Sequence, residues 1–324
     1  MPREPTSLSR RGLLAGGAAA ALLAACRDRG GDTLRIGFMT NLTHAPIILG
    51  VASGRLGRAL GVRVESLSFR SGPRVLEALQ GDAIDVGCAG PSAIVYGNAR
   101  LGAGALRLVT GCCSGGASFV VGRASRIAGW EDLRGKTLAT TQIGTTQDIS
   151  LRKYLHQHGY APAERGGDVS VTALDAATIL TEMGRGALDG AWLAEPWATR
   201  VVREIGAVRL VDERDLWKDR AFPTALVVAR GEFAREHAAL LASLAVATGE
   251  EIERARRSPE ETRSVVGDEL TRLLGRRLPD VLLADAWRFV DFTSDPLLDA
   301  LDVIAEDAFT LGLAPRSDHR TLMG

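Results

Sequence analysis

Beyond residue 32 the chain alternates short apolar runs with stretches whose apolar positions recur at helical spacing. A short apolar run between turn formers reads as a strand buried on both faces, and a 3.6-residue period reads as an amphipathic helix. The pattern predicts a strand at 34–38, a helix at 46–58, a strand at 62–69, a helix at 73–80 and a short strand at 84–86. A helix starting at Pro91 then leads to a strand at 106–109. A second series predicts strands at 137–140, 169–173, 191–194 and 208–211, separated by helices at 146–158, 176–184 and 196–205. Such alternation implies a mostly parallel sheet with helical crossovers in each series. The apolar runs at 119–121 and 225–229 flank the second series and are the expected crossing points between the two. After Glu232 the pattern is helical, at 232–256, 259–275, 279–290 and 296–311, with Pro259, Pro279 and Pro296 marking the later starts.

The two series also echo each other. Glu77, Gly81, Ala89 and Pro91 recur at the same offsets as Glu182, Gly186, Ala194 and Pro196, while Asp85 and Asp189 are slipped by one. In each, a glycine ends a helix, an Asp opens a short strand and a proline sits at the next helix's first turn. Two similar α/β lobes in one chain follow, with lobe 1 at 33–118 plus 225–324 and lobe 2 at 119–224.

The N-terminal stretch has a different pattern. Polar residues 1–11 end in Arg10-Arg11, an apolar run covers 12–23, and Leu23-Ala24-Ala25-Cys26 follows. That run is too short for a bilayer core, which takes about 20 residues, and the layout is that of a secretory signal. Ser9-Arg10-Arg11-Gly12-Leu13-Leu14 resembles a twin-arginine export signal. Leu-Ala-Ala-Cys resembles the bacterial lipobox, which makes 1–25 a signal peptide, Cys26 the lipidated first residue and 26–32 a tether. An ordinary cleaved signal with an incidental Cys26 is the alternative. The body would then sit outside the cell, held to the membrane by lipid alone.

Composition narrows the function. The chain of 324 residues has 39 basic and 39 acidic residues, 46% hydrophobic and 24% charged, the profile of a globular protein. Zero net charge excludes the basic surplus that nucleic-acid binding needs. In open α/β sheets ligands bind beyond the carboxyl ends of strands, where helix N-termini offer unpaired N–H groups to anions without any lysine or arginine. Candidate corners are 41–46, 89–92, 113–116, 142–147 and 195–197, each rich in small residues with hydroxyl or amide donors. Any one of them alone also reads as an ordinary helix cap.

Asn41-Leu42-Thr43-His44-Ala45-Pro46, then Gly81-Asp82-Ala83-Ile84-Asp85-Val86-Gly87, then Ala194-Glu195-Pro196-Trp197 are together similar to the substrate-binding proteins of the nitrate, sulfonate and taurine class of ABC importers. The resemblance implies a type II periplasmic-binding-protein fold: two α/β lobes, each a mostly parallel sheet flanked by helices, with a helical C-terminal segment. It implies a monomer that captures a small anionic or zwitterionic solute, an alkanesulfonate, taurine or nitrate-like oxyanion, for an ABC permease and its cytoplasmic ATPase. It further implies that Asn41, Thr43, His44, Gly90, Ser92, Ser114 and Gly115 line the first-lobe wall. Gly144, Thr145, Thr146 and Gln147 would face them, with Glu195 and Trp197 closing the floor. Neither a cofactor nor a metal is expected.

Other chemistry is sparse. Cys88, Cys112 and Cys113 admit one disulfide or three buried thiols. His156 and His158 face apart at i, i+2 and make no chelate. No Walker loop, nucleophile elbow, His-Glu-x-x-His or Gly-x-Gly-x-x-Gly occurs. A second reading within binding proteins is capture of a thiamine-precursor pyrimidine, with Trp197 and Phe222 stacking on its ring and Glu195 taking its amino group. From another class, a secreted enzyme on the same fold is the alternative.

Overall fold

Two sheets organise the computed structural model, which describes residues 33–316 and 318–323. The leader, Cys26 and the tether lie outside the described residues. In chain order the first series comprises β1 (Thr33–Met39), α1 (Ala45–Ala52), α2 (Arg55–Leu60), β2 (Arg63–Phe69), α3 (Gly72–Gln80), β3 (Val86–Ala89), α4 (Pro91–Leu101) and β4 (Leu106–Gly115). The second comprises β5 (Ala117–Val121), β6 (Thr137–Thr140), α5 (Thr146–Gln157), β7 (Ser170–Ala173), α6 (Ala176–Gly184), β8 (Gly190–Ala194), α7 (Trp197–Ile205) and β9 (Val208–Asp212). The chain then returns through β10 (Pro223–Arg230), α8 (Gly231–Glu236), α9 (Ala238–Arg257), α10 (Pro259–Leu274), α11 (Asp280–Trp287), β11 (Val290–Phe292) and α12 (Leu298–Thr310). Among the described residues no helix is long and apolar enough to cross a membrane.

The first sheet has the order β11-β4-β10-β3-β1-β2 and the second β7-β6-β8-β5-β9. β1 pairs with β3 in parallel, as β6 does with both β7 and β8. The strand that enters each sheet from the other lobe runs the opposite way: β10 is antiparallel to both β3 and β4, and β5 to both β8 and β9. A chain crossing at the mouth of the cleft must start its next strand there and run away from it, so each sheet acquires a reversed strand at its crossing, and β11, antiparallel to β4, is a second one in the first sheet. The runs expected as crossing points are thus β5 and β10. Both faces of β10 are covered: Ala225, Val227 and Ala229 lie in one apolar cluster, Leu226 and Val228 in another. This two-residue period with both sides buried explains the continuous apolar run.

The fourth strand is longer than its apolar start suggests. β4 continues through Cys112, Cys113, Ser114 and Gly115, because β10 and β11 hydrogen-bond to its two edges. Gly115 (φ 69°) and Gly116 (φ 74°) then turn the chain into the second lobe. A Cβ on Gly116 would meet Val290 Cγ1 at 2.7 Å and Thr43 Cγ2 at 2.8 Å, so the crossing requires glycine. Within the expected all-helical tail, Val290–Phe292 is a strand because it completes the open edge of β4. The helix expected at 46–58 breaks at Gly54 (φ 67°), and that at 232–256 breaks at His237, whose φ and ψ are −123° and 37°. Cys88, Cys112 and Cys113 are free thiols buried in the first-lobe core.

Candidate functional site

The repeated Asp explains how each lobe presents its corners. Asp85 accepts the Arg35 N–H at 2.9 Å and donates its own N–H to Arg35 O at 2.9 Å. Asp189 does the same with Thr137, both bonds at 2.8 Å. The two carboxylates therefore lock β3 to β1 and β8 to β6 at their starts. That alignment places the far ends of these strands, and the helices that follow, at one cleft of about 530 Å³.

Five helix N-termini reach this cleft; those of α6 (Ala176) and α7 (Trp197) are capped by the Asp175 and Glu195 carboxylates, and three are not. Gly72 of α3, Gly90 before α4, and Thr145 and Thr146 at the start of α5 all line it. None of the three N-cap positions, Ser71, Gly90 and Thr145, makes a side-chain cap hydrogen bond. Uncapped first-turn N–H groups and the positive dipole end remain available for an anion. The helices approach closely across the lobes, since a Cβ on Gly90 would fall 2.7 Å from Thr146 Oγ1. The loop before α5 is held from behind by buried Asp148, which accepts the Gly144 N–H at 2.9 Å and the Thr140 hydroxyl at 3.1 Å. Asp148 is in turn paired with Arg152 at 3.0 Å.

Of the residues expected at the site, Asn41, Thr43, Gly90, Thr145, Thr146, Gln147 and Trp197 line the cleft. Asn41 Oδ1 accepts both the N–H and the hydroxyl of Thr43, at 3.1 and 2.6 Å. Trp197 carries the Arg200 guanidinium 4.2 Å from its ring centre.

The others lie elsewhere. His44 is fully buried, its Nδ1 accepts the Met39 N–H at 3.4 Å, and burial lowers its pKa to about 3, so it stays neutral behind the wall. Ser92 is buried on α4, and Gly144 is spent on Asp148. Ser114 and Gly115 belong to β4 and the crossing, where Ser114 Oγ accepts the Phe222 N–H at 3.2 Å. Glu195 is buried and paired with Arg209 at 2.6 Å; burial pushes its carboxyl up, against the pull of Arg209. Its backbone carbonyl accepts the Leu42 N–H at 3.1 Å, a bond between the lobes. Phe222 is fully buried with its ring 5.0 Å from Trp217, so Trp197 and Phe222 do not face a common space.

Two corners are absent from the expected set, 69–74 between β2 and α3 and 173–176 between β7 and α6. Phe69, Arg70, Ser71, Gly72, Pro73 and Arg74, between β2 and α3, form much of the first-lobe wall. The sequence of that corner carries the same signal as the others, a strand followed by a Gly-Pro helix start. On the opposite wall Asp175 caps α6, and its bonds from Thr178 hold its carboxyl below the usual range. Among the described residues no cluster of three or more His, Cys, Asp or Glu side chains could hold a metal ion.

Solved structures with this fold include the alkanesulfonate-binding protein SsuA from Xanthomonas axonopodis pv. citri bound to MOPS. It is 18% identical with a TM-score of 0.73, over 88% of this chain and 96% of that one. The aliphatic sulphonate-binding protein SsuA from Escherichia coli is 21% identical with a TM-score of 0.74, over 90% and 97%. The nitrate-binding protein NrtA from Synechocystis PCC 6803 is 16% identical with a TM-score of 0.74, over 89% and 84%. At such identities the likeness is one of fold, and the fold is that of periplasmic binding proteins. A curated binding protein of Brucella abortus (strain 2308) is 25% identical over 205 residues, which is 63% of this chain. The match spans 61% of the length of that relative. A model of the NMT1-like family matches residues 29–266. The chain therefore belongs to the NMT1-like family.

Proposed function

We propose that the chain is the extracytoplasmic solute-binding lipoprotein of an ABC importer. Its leader is exported by a twin-arginine-like signal and cleaved before Cys26, which carries the lipid. The two lobes close on a small anionic or zwitterionic solute and release it unchanged to a permease driven by a cytoplasmic ATPase. The observation that carries this reading is the convergence of three helix N-termini without side-chain caps on one cleft between the lobes. Each charge-assisted hydrogen bond contributes about 1.5–3 kcal/mol. Four or five near the upper end of that range, about 12–15 kcal/mol together, leave roughly the −8 kcal/mol of micromolar binding after an association cost of about 4–7 kcal/mol. The sulfonate and nitrate binders of the same fold support the choice of an oxyanion. The buried position of Phe222 and the pairing of Glu195 with Arg209 weigh against a pyrimidine.

The test is thermal denaturation of the purified chain with sulfonates, taurine, nitrate and an aminopyrimidine. A bound solute at about 100 times its Kd adds about 2.7 kcal/mol, a rise of roughly 4–5 °C in Tm at an unfolding entropy of about 2.1 cal/mol/K per residue. We expect the rise with an oxyanion and recovery of the solute intact. A rise with the pyrimidine alone, or conversion of the solute, overturns the proposal.

A further inference from the structure

Three charged side chains stand in the cleft wall: Arg70, Arg74 and Asp175. Two are already compensated. Arg74 is paired with Glu77 at 2.7 Å, and Asp175 accepts the N–H groups of Ala177 and Thr178 at the start of its own helix. Arg70 has no hydrogen bond or ion pair with any other described residue. The cleft therefore holds one uncompensated side-chain charge, a guanidinium, whose planar fork suits an oxyanion. Around it the wall is substantially apolar, with Phe69 adjacent in sequence and Leu174, Leu193 and Trp197 from the second lobe. The volume of about 530 Å³ falls in the range of roughly 300–1,000 Å³ typical of pockets for drug-sized ligands. A bare inorganic oxyanion would leave most of that space and all of that apolar surface to water.

We infer that Arg70 is the specificity-determining residue of this cleft, and that the solute it selects is an organic monoanion with one acidic oxyanion group on an apolar body. This inference rests on the reading of the cleft as an anion site. It goes beyond that reading by placing the deciding charge on the β2–α3 corner and by ranking organic sulfonates above inorganic oxyanions. A second acidic group on the solute would have no unpaired cation to meet. Because Arg70 is exposed, it also acts at long range, and its attraction for the solute weakens as salt screens it.

The experiment is titration calorimetry at low and high ionic strength with nitrate, sulfate, ethanesulfonate and butanesulfonate. The full chain is compared with Arg70→Gln, Arg70→Lys and Arg63→Gln; Arg63 is an exposed arginine at the other end of the same strand, away from the cleft. Affinity is expected to rise from the inorganic ions to butanesulfonate. Arg70→Gln should weaken sulfonate binding by at least about tenfold, the effect of losing one charge-assisted bond, and should flatten its salt dependence. Arg70→Lys should keep the salt dependence, and Arg63→Gln should change neither. An Arg70→Gln protein with unchanged Kd and salt slope overturns the inference, as does equal affinity for nitrate and butanesulfonate, and both leave the anion cleft standing. Failure of the unmodified chain to bind any of the four anions overturns the cleft reading as well.

Discussion

Glu213 and His44 are buried titratable residues whose effects on stability oppose each other. Glu213 is fully buried and accepts the indole N–H groups of Trp192 and Trp217, the latter at 3.1 Å; burial pushes its carboxyl up to about 7 despite these donors. A carboxyl raised in the fold binds its proton more tightly there than in the unfolded chain. Its contribution is present at low pH and is lost as pH rises from about 4.5 to about 7. His44, held to about 3 by burial, has the reverse sign: stability rises with pH between about 3 and 6.5. In the interval from about 4.5 to 6.5 the two slopes offset each other. Glu213→Gln should therefore unmask the rise due to His44, which urea denaturation at half-unit pH steps would read. A falling slope in that variant would refute the assignment. Neither residue's state was legible in sequence, because desolvation depends on what covers a side chain and not on its neighbours in the chain.

At the scale of elements, the start of α5 isolates the contribution of a backbone donor. Thr146 is the first helical residue, and Thr145 before it is extended (φ −73°, ψ 165°), a conformation that a following proline accepts. Proline is tolerated at that first position because its missing N–H has no partner within the helix. Thr146→Pro should keep the helix, seen as an unchanged far-ultraviolet spectrum. It should weaken solute binding about tenfold or more by removing one anion donor. Unchanged affinity would place the anion away from α5. The same scale shows which signals travelled well. The spacing around Asp85 and Asp189 was readable, and each Asp makes the same reciprocal backbone pair in its own lobe. Strand ends were read less well: 113–115 looked like a loop because Ser and Gly are turn formers. In the fold β10 and β11 occupy both edges of that segment.

Across the whole molecule, the C-terminal segment joins the lobes. On α12, Leu301 packs into a first-lobe cluster while Ile304, one turn on, packs with the second-lobe core. Asp291 of β11 pairs with Arg214 at 2.8 Å, and Lys153 of α5 pairs with Asp307 at 2.6 Å. Phe289 lies beneath the Arg209 guanidinium, 3.5 Å from its ring centre. Arg214 is only 10% exposed and also neutralises Asp212 at 2.6 Å. Arg214→Ala should cost on the order of 2 kcal/mol, short of the ~3–5 kcal/mol for breaking a fully buried pair, since water still reaches Asp291. Chemical denaturation measures this directly, and a change below about 0.5 kcal/mol would mean that the pair is no more than a surface contact.

The order of strands and helices, the two-lobed plan, the repeated Asp and four of the corners that end in helix N-termini were all determined by local patterning. Period, glycine and proline positions and small polar residues act over a few residues, so they can be read along the chain. Tertiary structure alone decided which corners share a cleft. It brought Thr146 against Gly90, withdrew Glu195 into a pair with Arg209, and left Arg70 without a partner. Compensation of a charge is a property of space: Arg70 and Arg74 are four positions apart and equally basic in sequence, yet only one of them has a carboxylate within reach.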